Sequence, residues 1–148
     1  MNAVDSLGLG VIDQVAYVVR DLDAALPRYI ALYGPFEVAD SPLTDCTIRG
    51  RSADCRLKLA VNRSGPIEIE LIEVLEGETT HSEHLASHGE GLHHLRFRVG
   101  ALDAKLAELE AAGYETVMYK RFAPGLTFAY VETPDALGRS VIELLEMG

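Results

Sequence analysis

The sequence predicts an α+β fold in which two tandem βαβββ modules curve into a half-closed, barrel-like cup. Three observations carry that expectation. Laying Ile12–Gly34 on Leu92–Tyr114 without a gap pairs Val19 with Val99, Leu22 with Leu102, Asp23 with Asp103, Leu26 with Leu106 and Ala31 with Ala111. An internal repeat of this kind constrains the whole fold before any single element does. Both copies pass from a two-residue apolar alternation to a spacing of three and four, the pattern of a strand followed by a helix. Both halves also close alike, with Ile69-Glu70-Leu71-Ile72-Glu73 matching Ile142-Glu143-Leu144-Leu145-Glu146.

In chain order, the first strand sets Val15, Tyr17 and Val19 against Gln14, Ala16 and Val18, so one face is apolar. Its counterpart sets Leu95, Phe97 and Val99 against His94, Arg96 and Arg98. The helices that follow gather Leu22, Leu26, Tyr29 and Tyr33, and then Leu102, Leu106 and Leu109, into stripes that cover those apolar faces. Asp21 is placed to cap the first helix and Gly113 to stop the second. Pro27 lacks a backbone N–H and predicts a kink or a shifted start. Turn signals at Ser64-Gly65-Pro66, Ala123-Pro124-Gly125 and Thr133-Pro134-Asp135 separate strand-like runs such as Arg56–Val61, Thr116–Tyr119 and Leu126–Val131. The modules occupy about 11–74 and 91–147 of a single 148-residue domain; the acidic linker at 75–90 carries a short helical stretch near Ser82–Ser87.

Composition narrows the function. Thirteen Lys and Arg against 23 Asp and Glu give a net charge of −10, a field that repels phosphate backbones, so nucleic acid is not an expected partner. No apolar run reaches the length of a membrane span, and Met1–Gly10 lacks the basic start and apolar stretch of a signal peptide. The expectation is a cytoplasmic protein with no membrane partner. Cys46 and Cys55 are too few for a disulfide framework and read as free thiols.

With the helices on the apolar faces, Gln14 and His94 point to the concave side, and Glu70 and Glu143 hold equivalent places in the closing strands. An approximate two-fold axis between the halves brings these four together. One carboxamide oxygen, two carboxylates and one imidazole suit a divalent ion such as zinc, cobalt, nickel, manganese or iron, with positions left for water or substrate. Singly, each would be an ordinary polar strand residue; the matched repeat positions make them candidate ligands. Arg96 and Arg98 share the His94 face, where they either bind a substrate carboxylate or other anion, or pair internally with Glu68 or Glu70. His93 is expected on the helix-facing side with Leu95, as a core histidine. His81, His84 and His88 form either a solvated face of the linker helix or a second metal site.

The segments Ile12-Asp13-Gln14-Val15-Ala16-Tyr17, Gly89-Glu90-Gly91-Leu92-His93-His94, Phe97-Arg98-Val99 and Val141-Ile142-Glu143-Leu144 resemble the vicinal oxygen chelate superfamily of glyoxalases, bleomycin-resistance proteins and dioxygenases. The resemblance covers Val11 to Glu146 and is nearest to the methylmalonyl-CoA epimerase branch. It implies a glyoxalase-like fold, a divalent metal on Gln14, Glu70, His94 and Glu143, and proton abstraction beside a thioester carbonyl. It further implies Glu143 as first base and Glu70 as second, an acyl-CoA or other anionic carbonyl compound as substrate, and a homodimer. Tyr119, Lys120 and Arg121 would then either contact an extended acyl or CoA-like group or simply be exposed. Two departures bear on the substrate. The epimerases usually carry histidine where this chain has Gln14; the present set is similar to that of zinc-type glyoxalase I, whose glutathione-binding arginine and asparagine fall here on Val18 and Val74. The second glutamate of the epimerases falls loosely on Cys55-Arg56-Leu57-Lys58, which leaves Glu68 as a substitute base or an Arg-paired residue. The readings are therefore a metal-dependent epimerase or isomerase, a glyoxalase-like lyase or other metalloenzyme, and a metal-free small-molecule-binding protein, the last disfavoured by the intact ligand set.

Overall fold

The computed structural model describes residues 6–148; the start of the Met1–Gly10 segment lies outside them. Along the chain follow β1 (Ile12–Val18), α1 (Leu22–Tyr33), β2 (Glu37–Ile48), β3 (Arg51–Asn62), β4 (Glu68–Glu76), α2 (Thr80–His88), β5 (Gly91–Arg98), α3 (Leu102–Ala111), β6 (Glu115–Ala123), β7 (Leu126–Glu132) and β8 (Val141–Met147), with a 3-10 turn at Asp135–Leu137. The sheet order is β1-β4-β3-β2-β6-β7-β8-β5, returning to β1. This is the expected pair of βαβββ units, with one difference: the cup closes into a barrel. β1 and β5 pair antiparallel along most of their length, whereas β2 meets β6 only at Thr47–Tyr119 and Ile48–Met118. Strand length explains the closure, because β2 and β3 each run 12 residues and their hairpin reaches across to β6. Arg49, held at φ 47 in the β2–β3 turn, fastens this seam. Its N–H donates to the Val117 carbonyl, and its guanidinium reaches Glu83 at 2.9 Å and Glu132 at 3.1 Å.

The two halves share one register. In the parallel pair β1–β4, Gln14 faces Glu68 and Ala16 faces Glu70. In the pair β5–β8, His94 faces Val141 and Arg96 faces Glu143. Each glutamate thus stands one inward step beyond the Gln14 or His94 of its own half, which is the geometry the repeat anticipates.

Three apolar clusters hold the barrel. Leu22 of α1 buries against Val19, Ala60 and Leu71, and Leu102, Leu106 and Leu109 of α3 bury against Ala129, Val131 and Leu144. The third cluster fills the barrel itself, with Ala16, Val18, Ile72, Val117, Phe128 and Tyr130 among its members. α2 begins earlier than its predicted stretch because Thr79 and Ser82 form a capping box. It lays Leu85 on the interior cluster and sets the Thr80 hydroxyl against Met118 sulfur at 3.8 Å, so that it plugs one end of the barrel. The connection into α2 passes so near β3 that a Cβ on Gly77, at φ +87, would lie 2.7 Å from the Asp54 carbonyl oxygen. Cys46 and Cys55 are buried free thiols. No helix among the described residues is long and apolar enough to cross a membrane.

Helix capping exposes the repeat a second time. Asp21 caps α1 as expected, accepting the Ala24 N–H at 3.1 Å, and the helix runs from Leu22 across Pro27. α3 has Ala101 in the capping position, which offers no side-chain acceptor. The closing strand supplies one instead: Glu146 accepts the Leu102 N–H at 2.8 Å, just as Glu73 accepts the Leu22 N–H at 2.6 Å. Glu146→Ala is expected to cost about 1 kcal/mol, read as a fall of a few degrees in thermal unfolding. Glu73→Ala should cost less, because Asp21 remains; equal shifts in the two variants would contradict this division.

Candidate functional site

Gln14 and His94 meet because β1 and β5 are neighbours and both side chains face the barrel interior. His94 Nε2 lies 2.9 Å from Gln14 Oε1 and 2.8 Å from Glu143 Oε1. Gln14 and His94 are each 1% exposed and Glu143 is 7% exposed. Ligand bonds of about 2.1 Å place neighbouring donors of a six-coordinate ion about 3 Å apart, and both distances from His94 Nε2 match that spacing. The orientation of the amide fits as well. Gln14 Nε2 donates to Glu68 Oε1 at 2.6 Å, which turns the amide oxygen toward His94. Glu68 is itself held by Arg63 at 2.9 Å, so it takes the Arg-paired role and adds a second one, the aiming of Gln14.

Glu70 lines one cavity together with Glu143, and its side chain makes no hydrogen bond among the described residues. No trio of His, Cys, Asp and Glu side chains there forms a metal cage by itself; the convergent set depends on the Gln14 amide. Burial, reinforced by the charge of Glu143, pushes Glu70 up to about 8, and burial pushes Glu143 up to about 8. A dication between such carboxyls would favour their ionised forms. Burial, helped by Arg96, draws His94 down to about 3 and keeps its imidazole neutral, the form that binds a metal.

The cavity has a volume of about 160 Å³ and is bounded by Glu70, Glu143, Arg96 and Tyr130, with Leu57 and Phe128 among its apolar walls. That is below the roughly 300–1,000 Å³ of ligand pockets in general, so it has room for a small acyl group and not for a nucleotide ester. Arg96 borders it but is already engaged, with Asp13 at 2.8 and 3.3 Å and Glu68 at 3.7 Å. Its carboxylate partner is chiefly Asp13, which the sequence did not single out. Arg98 does not line this cavity; half-exposed and 3.6 Å from Asp13, it borders a separate cleft with Arg63 and Pro66. Tyr119 donates to Asp103 at 2.9 Å, and Lys120 donates to the Thr44 carbonyl. A larger groove of about 620 Å³ lies outside the barrel along α1, among Tyr17, Arg28, Tyr29 and Tyr33, without a convergent acid–base set.

Two expectations for histidine need correction. His93 does not sit beneath a helix with Leu95. The β1–β5 register slips at this point, with Ala16 facing His94 and Tyr17 facing Leu92, so His93 is an extra residue in a bulge that turns its ring inward. There it packs 5.4 Å from Tyr130 and 4.6 Å from His81, ring centre to ring centre. Nor is His81 on a solvated face: it is fully buried, with Nε2 2.9 Å from the Tyr130 hydroxyl and Nδ1 3.0 Å from the Thr79 hydroxyl. His84 and His88 stack on each other nearer the surface. Tyr130 was missed altogether, although its two-residue spacing from Phe128 in β7 marked it for the interior.

The model of the glyoxalase/bleomycin resistance protein/dioxygenase superfamily matches residues 13–130, and the chain belongs to that superfamily. Among solved structures it is similar to methylmalonyl-CoA epimerase from Mycobacterium tuberculosis, at 25% identity over 93% of this chain and 87% of that one, with a TM-score of 0.63. It is also similar to a variant of Streptomyces coelicolor methylmalonyl-CoA epimerase in complex with 2-nitronate-propionyl-CoA, at 25% identity over 93% and 94% of the two chains, TM-score 0.63. A hypothetical protein from Bacillus halodurans C-125 shares the fold at 20% identity over 93% and 94%, TM-score 0.67. No curated protein matches the chain.

Proposed function

We propose that this protein is a divalent-metal-dependent enzyme that moves a proton next to a carbonyl, an epimerase or isomerase acting on a small acyl thioester of the methylmalonyl-CoA type. The observation that carries the reading is the convergence of Gln14 Oε1, His94 Nε2 and Glu143 Oε1 beside a small cavity that also holds Glu70. Gln14, Glu70, His94 and Glu143 would hold zinc, cobalt, nickel, manganese or iron. When bound, such an ion polarises the substrate carbonyl and acidifies the adjacent C–H. Glu143 then takes the proton from one side. Glu70 returns one from the other, since its strand and that of Glu143 flank the β1–β5 pair. The apolar walls exclude water from the acidified carbon. Arg96, with Asp13 behind it, orients the substrate carboxylate, and Arg98, on the neighbouring cleft that Arg96 also lines, meets its anionic extension.

The test is proton exchange. Untagged protein is analysed for metal, then incubated with methylmalonyl-CoA in D2O while the α-proton is followed by NMR. Loss of the α-proton only with a divalent ion bound is the expected outcome; exchange indifferent to metal, or absent with every acyl-CoA tried, overturns the proposal. Within this reading, Glu68→Gln should weaken metal binding by about 10–100-fold, because it loosens the Gln14 amide. Competition with a chromophoric chelator measures this, and undiminished affinity would leave Glu68 only its ion pair with Arg63.

A further inference from the structure

His93 has the one buried side-chain nitrogen or oxygen among the described residues that lacks a hydrogen-bond partner, its Nε2. Its other ring nitrogen is engaged: His93 Nδ1 lies 2.8 Å from His94 Nδ1. Directions of donation along this chain can be read from one end. Gln14 spends its N–H on Glu68 at 2.6 Å, so its oxygen is an acceptor, and His94 Nε2, 2.9 Å away, carries a proton to meet it. His94 is buried and neutral, hence its Nδ1 has a lone pair and accepts the N–H of His93 Nδ1. His93 in turn keeps a bare lone pair on Nε2, the orphaned atom. A cation on His94 Nε2 would need the lone pair there, and every direction from His94 onward would reverse.

We propose that His93 is the positioning residue for His94: turned inward by the β5 bulge, it holds the ligand ring through the Nδ1–Nδ1 hydrogen bond and exchanges tautomers with it when a divalent cation takes His94 Nε2. The inference rests on the metal-centre reading above and deepens it. Both rings stay neutral throughout. The proton between the two Nδ1 atoms passes from His93 to His94, His94 releases its Nε2 proton to solvent, and His93 gains one at Nε2, so the count is unchanged. The stacked His84 and His88 rings, the former 5.2 Å from His93, lead from it toward solvent.

The experiment labels histidine with ¹⁵N in the full chain and reads by two-bond ¹H–¹⁵N correlation which nitrogen of each ring is protonated. After chelator treatment, His94 should carry its proton on Nε2 and His93 on Nδ1; Zn²⁺ should reverse both. His93→Phe keeps the ring but not the hydrogen bond and should bind Zn²⁺ about 10–100-fold more weakly, with an unchanged circular dichroism spectrum. His93→Gln, whose amide oxygen can accept from His94 Nδ1, should recover part of the loss. Zn²⁺ binding by His93→Phe as tight as that of the parent protein overturns the proposal, as does a His94 proton already on Nδ1 after chelation. If the parent protein binds no divalent ion, the metal-centre reading fails by itself, while the tautomers of the chelator-treated protein still decide the role of His93 without requiring any variant to fold.

Discussion

Glu143→Gln is expected to lower metal-dependent α-proton exchange by about 10²–10⁴-fold, the range a positioned general base supplies. The substitution is close to isosteric in a residue only 7% exposed, so the packing beside Tyr130, its cross-strand neighbour, survives. What changes is chemical. A neutral amide cannot take a proton from carbon, and it offers a bound cation no charge. The measurement is the D2O exchange rate at saturating metal, alongside thermal unfolding to show that the barrel is intact. Exchange within a few-fold of the parent rate would remove Glu143 from the role of base and shift it to Glu70.

If a divalent ion occupies the proposed centre, the unfolding temperature is expected to rise by roughly 5–10 °C when the free ion stands near one hundred times its dissociation constant. Ligand linkage gives about 2.7 kcal/mol at that ratio, and a chain of this size gains about 2–4 °C per kcal/mol. The proposed donors come from β1, β4, β5 and β8, so one ion would tie together strands from both halves. Differential scanning calorimetry with Zn²⁺, Co²⁺, Ni²⁺, Mn²⁺ and Fe²⁺, before and after chelation, checks it. An unfolding temperature indifferent to all five would return the chain to the class of metal-free binding proteins.

The sequence displayed the repeat, the helix stripes and the four candidate ligands because each rests on a side-chain period, and periods survive in one dimension. The features it hid depend on backbone pairing. The bulge at His93 shifts the β1–β5 register by one residue without disturbing the Leu95, Phe97, Val99 alternation from which the face of His93 was inferred. The aiming of Gln14 by Glu68 needs the parallel β1–β4 register, and the Asp13 partner of Arg96 needs β1 beside β5. The β2–β6 seam follows from a hairpin longer than the polar, proline-bearing stretch of β2 suggests. The burial of His81 was closer to hand, since Thr79 and Ser82 announce a capped helix start and hence the turn of helix on which His81 sits.

Splitting the barrel between β4 and β5 would leave each half with a sheet bare at both borders and only one nitrogen- or amide-type donor with one carboxylate. Neither fragment could grip an ion alone, yet two identical fragments placed about a dyad would restore both the hydrogen-bonded ring and a complete donor set. The matching Glu73 and Glu146 caps, one per half, show that each unit already carries its own means of starting a helix. Within one chain the two halves instead differ at the centre, where Gln14 answers His94 and Ala16 answers Arg96, so a single polypeptide can present unlike groups on the two sides of one cavity.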